Sequence, residues 1–196
     1  MHISEGVLST PVIVSSSIVL IPLIINSIRK IDYEDISKVA LVSALFFVVS
    51  TIHLPIGVTS IHFMMLGIIG MLLGWHSFTA LLIALLLQAL LIGFGGLSSL
   101  AVNTLNTGVG ALVAYYLFKY LNNKLPFVLM SFIVGFVPII ITSFGIAVAL
   151  MFSNEEFFTV AKVAVIAHLP LALIEGLIMI FLFKTLKKYQ IKGLNL

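Results

Sequence analysis

Apolar residues run almost unbroken along the chain, and short polar stretches cut them into pieces of roughly membrane-spanning length. The pattern predicts about seven hydrophobic helices. The first covers about residues 7–28, with Pro11 near its start and Pro22 able to kink it. The polar stretch RKIDYEDISK (29–38) separates it from the second, about 39–53. The loop LPIGVTS leads into the third, about 61–73, which is short for a full span. The turn GWHS precedes the fourth, about 78–92, and the glycine-rich loop GFGGLSS (93–99) follows it. The fifth covers about 100–121 and the sixth about 126–152. SNEE (153–156) then supplies a helix start signal for the seventh, about 157–186. The apolar runs do not alternate with period two, as the strands of a membrane barrel would. The expected fold class is therefore all-α and polytopic. No internal repeat, linker or soluble block interrupts the pattern, so residues 1–196 read as one transmembrane domain.

Composition agrees. Of 196 residues, 61% are hydrophobic and 9% charged, and the mean hydropathy is +1.27, whereas a soluble domain carries about 25% charged residues. The bilayer is the expected solvent, and helices satisfy their own backbone within it. Charge then sets orientation. With seven spans, Arg29, Lys30, Lys38, Lys119, Lys124, Lys184, Lys187, Lys188 and Lys192 fall on one side, and Lys162 alone falls toward the other. The positive-inside rule places that side, and the C-terminus, in the cytoplasm and the N-terminus outside. A six-helix count would break this agreement. The net charge of +3 thus speaks to topology and gives no reason to expect a nucleic-acid partner. Residues 1–6 lack the basic start of a secretory leader, so MHISEG is expected to remain on the mature chain. The bulky His2 should also discourage removal of Met1.

Cysteine is absent, which removes disulfides and thiolate metal sites. The predicted orientation gathers His2, His53 and His62 at the outer mouth, with His76 in a cytoplasmic turn and His168 in mid-span. A free α-amine, the backbone nitrogen of residue 2 and the His2 Nδ1 close two fused chelate rings in one plane. A fourth nitrogen would complete a square site of the kind that suits Ni(II) or Cu(II). An MH start also arises by chance, and the H-x8-H pair of His53 and His62 could equally be interfacial residues bonded to backbone. GFGGLSSLAVNTLN lacks the GK[ST] of a phosphate loop. Its Asn103 and Asn106 share a helix face, either bracing an inward-folded N-terminus or bonding neighbouring helices. His168 and Glu175, seven apart, also share a face and read either as a proton path or as a structural pair. Met64, Met65 and Met71 read as packing. No convincing nucleophile–base set is present, so no enzymatic activity is expected.

Four stretches carry a resemblance. MHISEGVLS, IHLPIGVTSIHFMMLGIIGMLLGW, LLLQALLIGFGGLSSLAVNTLN and HLPLALIEG resemble, in the same order and over nearly the whole chain, the CbiM/NikM family. These are substrate-capturing (S) components of energy-coupling-factor transporters for cobalt and nickel. The resemblance implies a multi-pass protein of a prokaryotic cell membrane whose N-terminal segment folds into an outer metal site. It implies Co(2+) or Ni(2+) as transported ligand, without choosing between them, and no resident cofactor. The implied ligands are the Met1 amine, the backbone nitrogen and imidazole of His2, and His62 from the TS-x-H segment. His53 is an auxiliary position, Thr59 and Ser60 shape the loop, and Glu5 and Gly6 form the turn after the chelate. Asn103 and Asn106 are carried as neighbours of the ligands. Val58 departs from the glycine or proline common in relatives, which leaves the loop geometry open. The implied partners are a transmembrane coupling subunit, two ATP-binding subunits and a separate small accessory membrane subunit. A rival is a proton-coupled secondary transporter or channel using His168 and Glu175. Because a ligating imidazole must be neutral, metal binding is expected to weaken as pH falls through about 6.5.

Overall fold

The computed structural model describes residues 2–56 and 58–188. It is an all-α membrane-type fold with one small β-hairpin. The helices are α1 Thr10–Arg29, α2 Tyr33–Ser50, α3 Leu66–Leu73, α4 Ser77–Ile92, α5 Leu100–Leu121, α6 Phe127–Ser153 and α7 Phe158–Lys188. Between α2 and α3 the strands β1 His53–Ile56 and β2 Thr59–His62 pair antiparallel, with His53 directly opposite His62. The seven predicted helices are all present. Several boundaries differ: α1 begins at Thr10 and not at 7, α2 begins at Tyr33 inside the polar stretch and stops at Ser50, and residues 61 and 62 lie in a strand with 63–65 non-helical, so His53 and His62 sit on strands and not at helix ends.

Among the described residues, four stretches have the length and apolarity to cross a membrane: Thr10–Arg29, Leu66–Ile92, Phe127–Ser153 and Glu155–Lys188. The second of these does not run straight. Gly74 takes a positive φ of 51°, and the Ser77 hydroxyl donates to the Ile69 carbonyl at 3.4 Å. Eight residues of straight helix would separate that pair by about 12 Å, so the chain folds back here. The contacts along α5 agree. Leu66 lies at Gly110, Gly70 at Ala111 and Gly74 at Tyr115, after which Phe78 returns to Gly108. α3 and α4 are thus antiparallel, joined by the turn Gly74–His76.

At eight residues, α3 is about 12 Å long and covers only part of a bilayer. The non-helical segment from β2 to Met65 continues it. Non-helical backbone at membrane depth must be buried in protein and hydrogen-bonded. Glu175 of α7 does this for the last bend. Its Oε1 accepts the Met64 N–H at 2.5 Å, and its two oxygens accept the Met65 N–H at 3.0 Å each. Met65 itself adopts the left-handed region at φ 50° just before α3 begins.

Close helix packing relies on small residues, as expected where lipid gives no hydrophobic drive between helices. A Cβ on Gly135 would meet the Glu175 carbonyl at 2.6 Å and the Gly176 Cα at 2.9 Å, so α6 and α7 touch backbone to backbone. The two ends of the bundle differ in chemistry. At one end the basic residues sit with aromatic rings: Lys30 lies over Trp75, Lys119 over Tyr115 and Lys124 over Tyr120. At the other end the start of the chain meets the hairpin, the loop after α4 and the end of α6.

Candidate metal centre

The residues before α1 form a strap across that second end. The Ser4 N–H donates to the Val58 carbonyl at 3.2 Å, and the Glu5 N–H donates to the Gly95 carbonyl at 3.0 Å. Asn103, in the first turn of α5, grips the strap at two atoms. Its Oδ1 accepts the Ile3 N–H at 3.0 Å and its Nδ2 donates to the Ile3 carbonyl at 3.1 Å, with a further bond to Ser99 Oγ at 3.1 Å. The Glu5 carboxylate accepts the Ser98 N–H at 3.1 and 3.2 Å. The Ser98 hydroxyl and then its N–H hold that carboxyl below the ordinary range. The Gly6 N–H reaches Ser98 Oγ at 3.4 Å, and the Ser9 N–H reaches Ser153 Oγ at 3.2 Å. Two glycines make the close approach possible. Gly95 adopts φ +84°, and a Cβ on Gly96 would lie 1.9 Å from Glu5 Oε2.

The strap delivers His2 to His62. Their rings stack with centroids 4.5 Å apart and planes at 26°, and each residue is 2% exposed. The two chain positions are sixty apart in sequence, and the hairpin and strap bring them together. His62 Nδ1 lies 2.8 Å from the Phe63 carbonyl. That bond makes Nδ1 the protonated nitrogen and leaves the Nε2 lone pair bare. Nε2 is buried and has no hydrogen-bond partner among the described residues. A bare buried nitrogen costs about 1–3 kcal/mol unless something fills its vacant direction. Burial lowers the His2 pKa to about 3, with nearby His53 acting in the same direction and Gln88 opposing. Burial likewise lowers His62 to about 4, with the Phe63 carbonyl opposing and His168 adding slightly. Both imidazoles are therefore neutral, the state that can ligate a metal. While enclosed, each ring takes up a proton well below the free-imidazole value of about 6.5.

The remaining sequence candidates distribute as follows. Met1 lies outside the described residues, and of Thr59 the backbone alone is described, in β2. Ser60 is buried on β2, and its hydroxyl has no hydrogen-bond partner among the described residues. His53 is exposed; its Nδ1 lies 2.9 Å from the Thr51 carbonyl. Asn106 turns away from the strap and donates to the Thr142 carbonyl of α6 at 2.9 Å. Glu175 is occupied with Met64 and Met65, as above. His168 Nδ1 lies 2.5 Å from the Ala164 carbonyl one turn back. Among the described residues, no three His, Asp or Glu side chains converge as a metal cluster.

Two neighbours escaped the sequence reading. Phe94 packs on the His53, His2 and His62 rings. Gln88, a fully buried amide on α4, donates to Ser50 Oγ and lies near His2. A lone aromatic inside a glycine-rich loop and a lone amide inside an apolar helix are the signals that mark them.

Comparison with known proteins places this geometry in company. The sequence pattern of a family described as "Cobalt uptake substrate-specific transmembrane region" matches residues 2–192. The cobalt transport protein CbiM of Thermosipho melanesiensis is 33% identical over 206 residues, covering 97% of this chain and 88% of that protein. The fused nickel transport protein NikMN of Rhodobacter capsulatus is 38% identical over 121 residues, covering 58% of this chain and 35% of that protein. A crystal structure of a transition metal transporter superposes with a TM-score of 0.87 at 28% identity, covering 98% of this chain and 95% of that one.

Proposed function

The chain belongs to the CbiM family of cobalt uptake substrate-specific transmembrane regions, and from that premise we propose that it captures a divalent cobalt or nickel ion for import across the cell membrane. The observation that carries the reading is the buried, stacked pair of neutral imidazoles, His2 and His62, held together by the strap. The rings lie together with centroids 4.5 Å apart, and because imidazole lone pairs lie in the ring planes, loading of one ion at metal–nitrogen distances of about 2.0–2.1 Å turns the rings edge-on to it. The backbone nitrogen of residue 2 and the amine of Met1 complete the square. His62 Nε2 is the lone pair already presented for bonding.

The basic and aromatic end of the bundle faces the cytoplasm, in keeping with the positive-inside rule, and the strap end faces outward. The chain supplies capture. Energy comes from partner subunits: a transmembrane coupling subunit and two ATP-binding subunits, with a small accessory membrane subunit beside them. The coupling moves this subunit so that the ion meets the cytoplasm. Within the chain, Asn103 and Glu5 position the strap, and Gln88 and the hairpin wall off water.

The test is metal analysis of the purified chain with its native amino end, after loading with Co(2+) or Ni(2+) and desalting. One ion per chain is expected. His2→Ala, His62→Ala and acetylation of the amino end should each abolish retention. Full retention by the acetylated chain would sink the assignment, since acetylation removes the chelating amine while leaving the rest of the fold in place.

A further inference from the structure

A single aromatic ring contacts all three histidines at this end. The Phe94 ring centroid lies 4.1 Å from that of His53, 4.4 Å from that of His2 and 5.7 Å from that of His62. His53 is exposed, whereas His2 and His62 are buried. Phe94 therefore stands between a solvent-facing imidazole and the two enclosed ones. It has no atom able to ligate a metal, so its place there is not that of a ligand.

The backbone around it differs from that of the other walls. Phe94 sits between Gly93 at φ +62° and Gly95 at φ +84°, both in the left-handed region that glycine alone adopts freely. Around Gly93, the position of a Cβ is open space with no atom within 4 Å. The segment is tethered on both sides of the ring: the Phe94 N–H donates to the Gln88 carbonyl at 3.1 Å, and the Gly95 carbonyl accepts the Glu5 N–H. The ring is thus half-buried between two glycines; the Gly93 side is open, whereas a Cβ on Gly95 would lie 3.5 Å from the His2 ring.

We propose that Phe94 is the gate of the metal site: its ring closes the path between solvent and the His2–His62 pair, and must swing aside for an ion to enter or leave. The ligands set the affinity and Phe94 sets the rates of capture and release. The inference rests on the metal-capture reading above.

The experiment uses the purified full chain with its native amino end and Ni(2+) alone. A metal-indicator dye follows capture in a stopped-flow mixer, and excess chelator follows release. Removing two ring contacts of this class corresponds to about a tenfold change. Phe94→Ala should therefore speed capture and release together by about that factor, with one ion still bound per chain and the equilibrium constant little changed. Phe94→Tyr, which keeps the ring, should restore both wild-type rates, and Phe94→Leu, which keeps most of the volume, should fall between. If Phe94→Ala and Phe94→Leu both leave the two rates unchanged, there is no gate. If they speed release alone, or lose the ion, Phe94 is a structural wall and the proposal fails while metal capture stands. A wild-type chain that retains no nickel overturns the capture reading and the gate with it.

Discussion

At the residue scale, the site depends on side chains that hold other groups in place. Asn103 pairs both its amide atoms with the backbone of Ile3, next to His2. Asn103→Ala removes both bonds and lets the strap drift. Residues that orient metal ligands typically account for 10–100-fold in affinity, so a loss of about that size is expected in equilibrium metal binding, with the helical content unchanged by circular dichroism. The buried imidazoles carry a pH signature. Both have folded-state pKa values well below the ordinary 6.5, about 3 for His2 and about 4 for His62. The docked strap keeps them neutral, while an undocked or unfolded strap takes up protons below 6.5. The docked state is thus favoured above 6.5 and loses ground as pH falls toward 4. Proton NMR should show His2 and His62 ring signals that do not titrate between pH 7.5 and 5.5. A midpoint near 6.5 for either would mean that it is not enclosed as described.

At the element scale, the sequence made the helices plain and concealed the hairpin. α4 is a largely apolar run ended by Gly93, and α5 ends at the polar turn after Leu121, so their limits follow from the pattern. The stretch HLPIGVTSIHF is as apolar as its neighbours, and no periodicity over so few residues separates a strand from the end of a helix. The cross-strand pairing that puts His53 opposite His62 is a tertiary fact, fixed by the strap and α7. Glu175 illustrates the same gap. Sequence alone offered a proton path or a structural carboxylate, and the geometry has it accepting the Met64 and Met65 N–H groups. Glu175→Ala strands the buried Met64 N–H and the part-buried Met65 N–H; a fully buried stranded donor costs about 1–3 kcal/mol. Glu175→Gln keeps an acceptor oxygen and should cost less. Thermal unfolding in detergent should rank wild type, then Gln, then Ala. Loss of uptake in Glu175→Gln with unaltered melting and metal binding would instead favour the proton path.

At the scale of the whole molecule, close backbone contacts and charge segregation govern. A Cβ on Gly70 would lie 1.9 Å from the Ala111 carbonyl oxygen, and that atom belongs to a rigid helix. Gly70→Ala must push α3 from α5, at about 1–3 kcal/mol, visible as a lowered melting temperature. Topology can be read directly because the chain has no cysteine of its own. A single cysteine placed at Asn154 should react with an impermeant thiol reagent in intact cells, and one placed at Asn123 should react only after lysis. The reverse pattern would invert the proposed orientation. The long apolar helices were legible from hydropathy. The fold-back at Gly74 was legible from GWHS as a turn. The strap's course was not legible from periodicity, since its polar contacts lie some 54 to 144 residues apart.

The strap joins four regions that are remote in the chain: the amino end, the hairpin, the loop after α4 and the first turn of α5. An ion bound across it would act as a clasp, closing a ring of sixty residues that the loosened chain cannot close. Bound cargo then holds the molecule's shape as well as being carried by it. A ligand at 100 times its dissociation constant adds about 2.7 kcal/mol to the state that binds it. Heating should therefore release nickel and collapse the hairpin in one event, and saturating metal should delay both together.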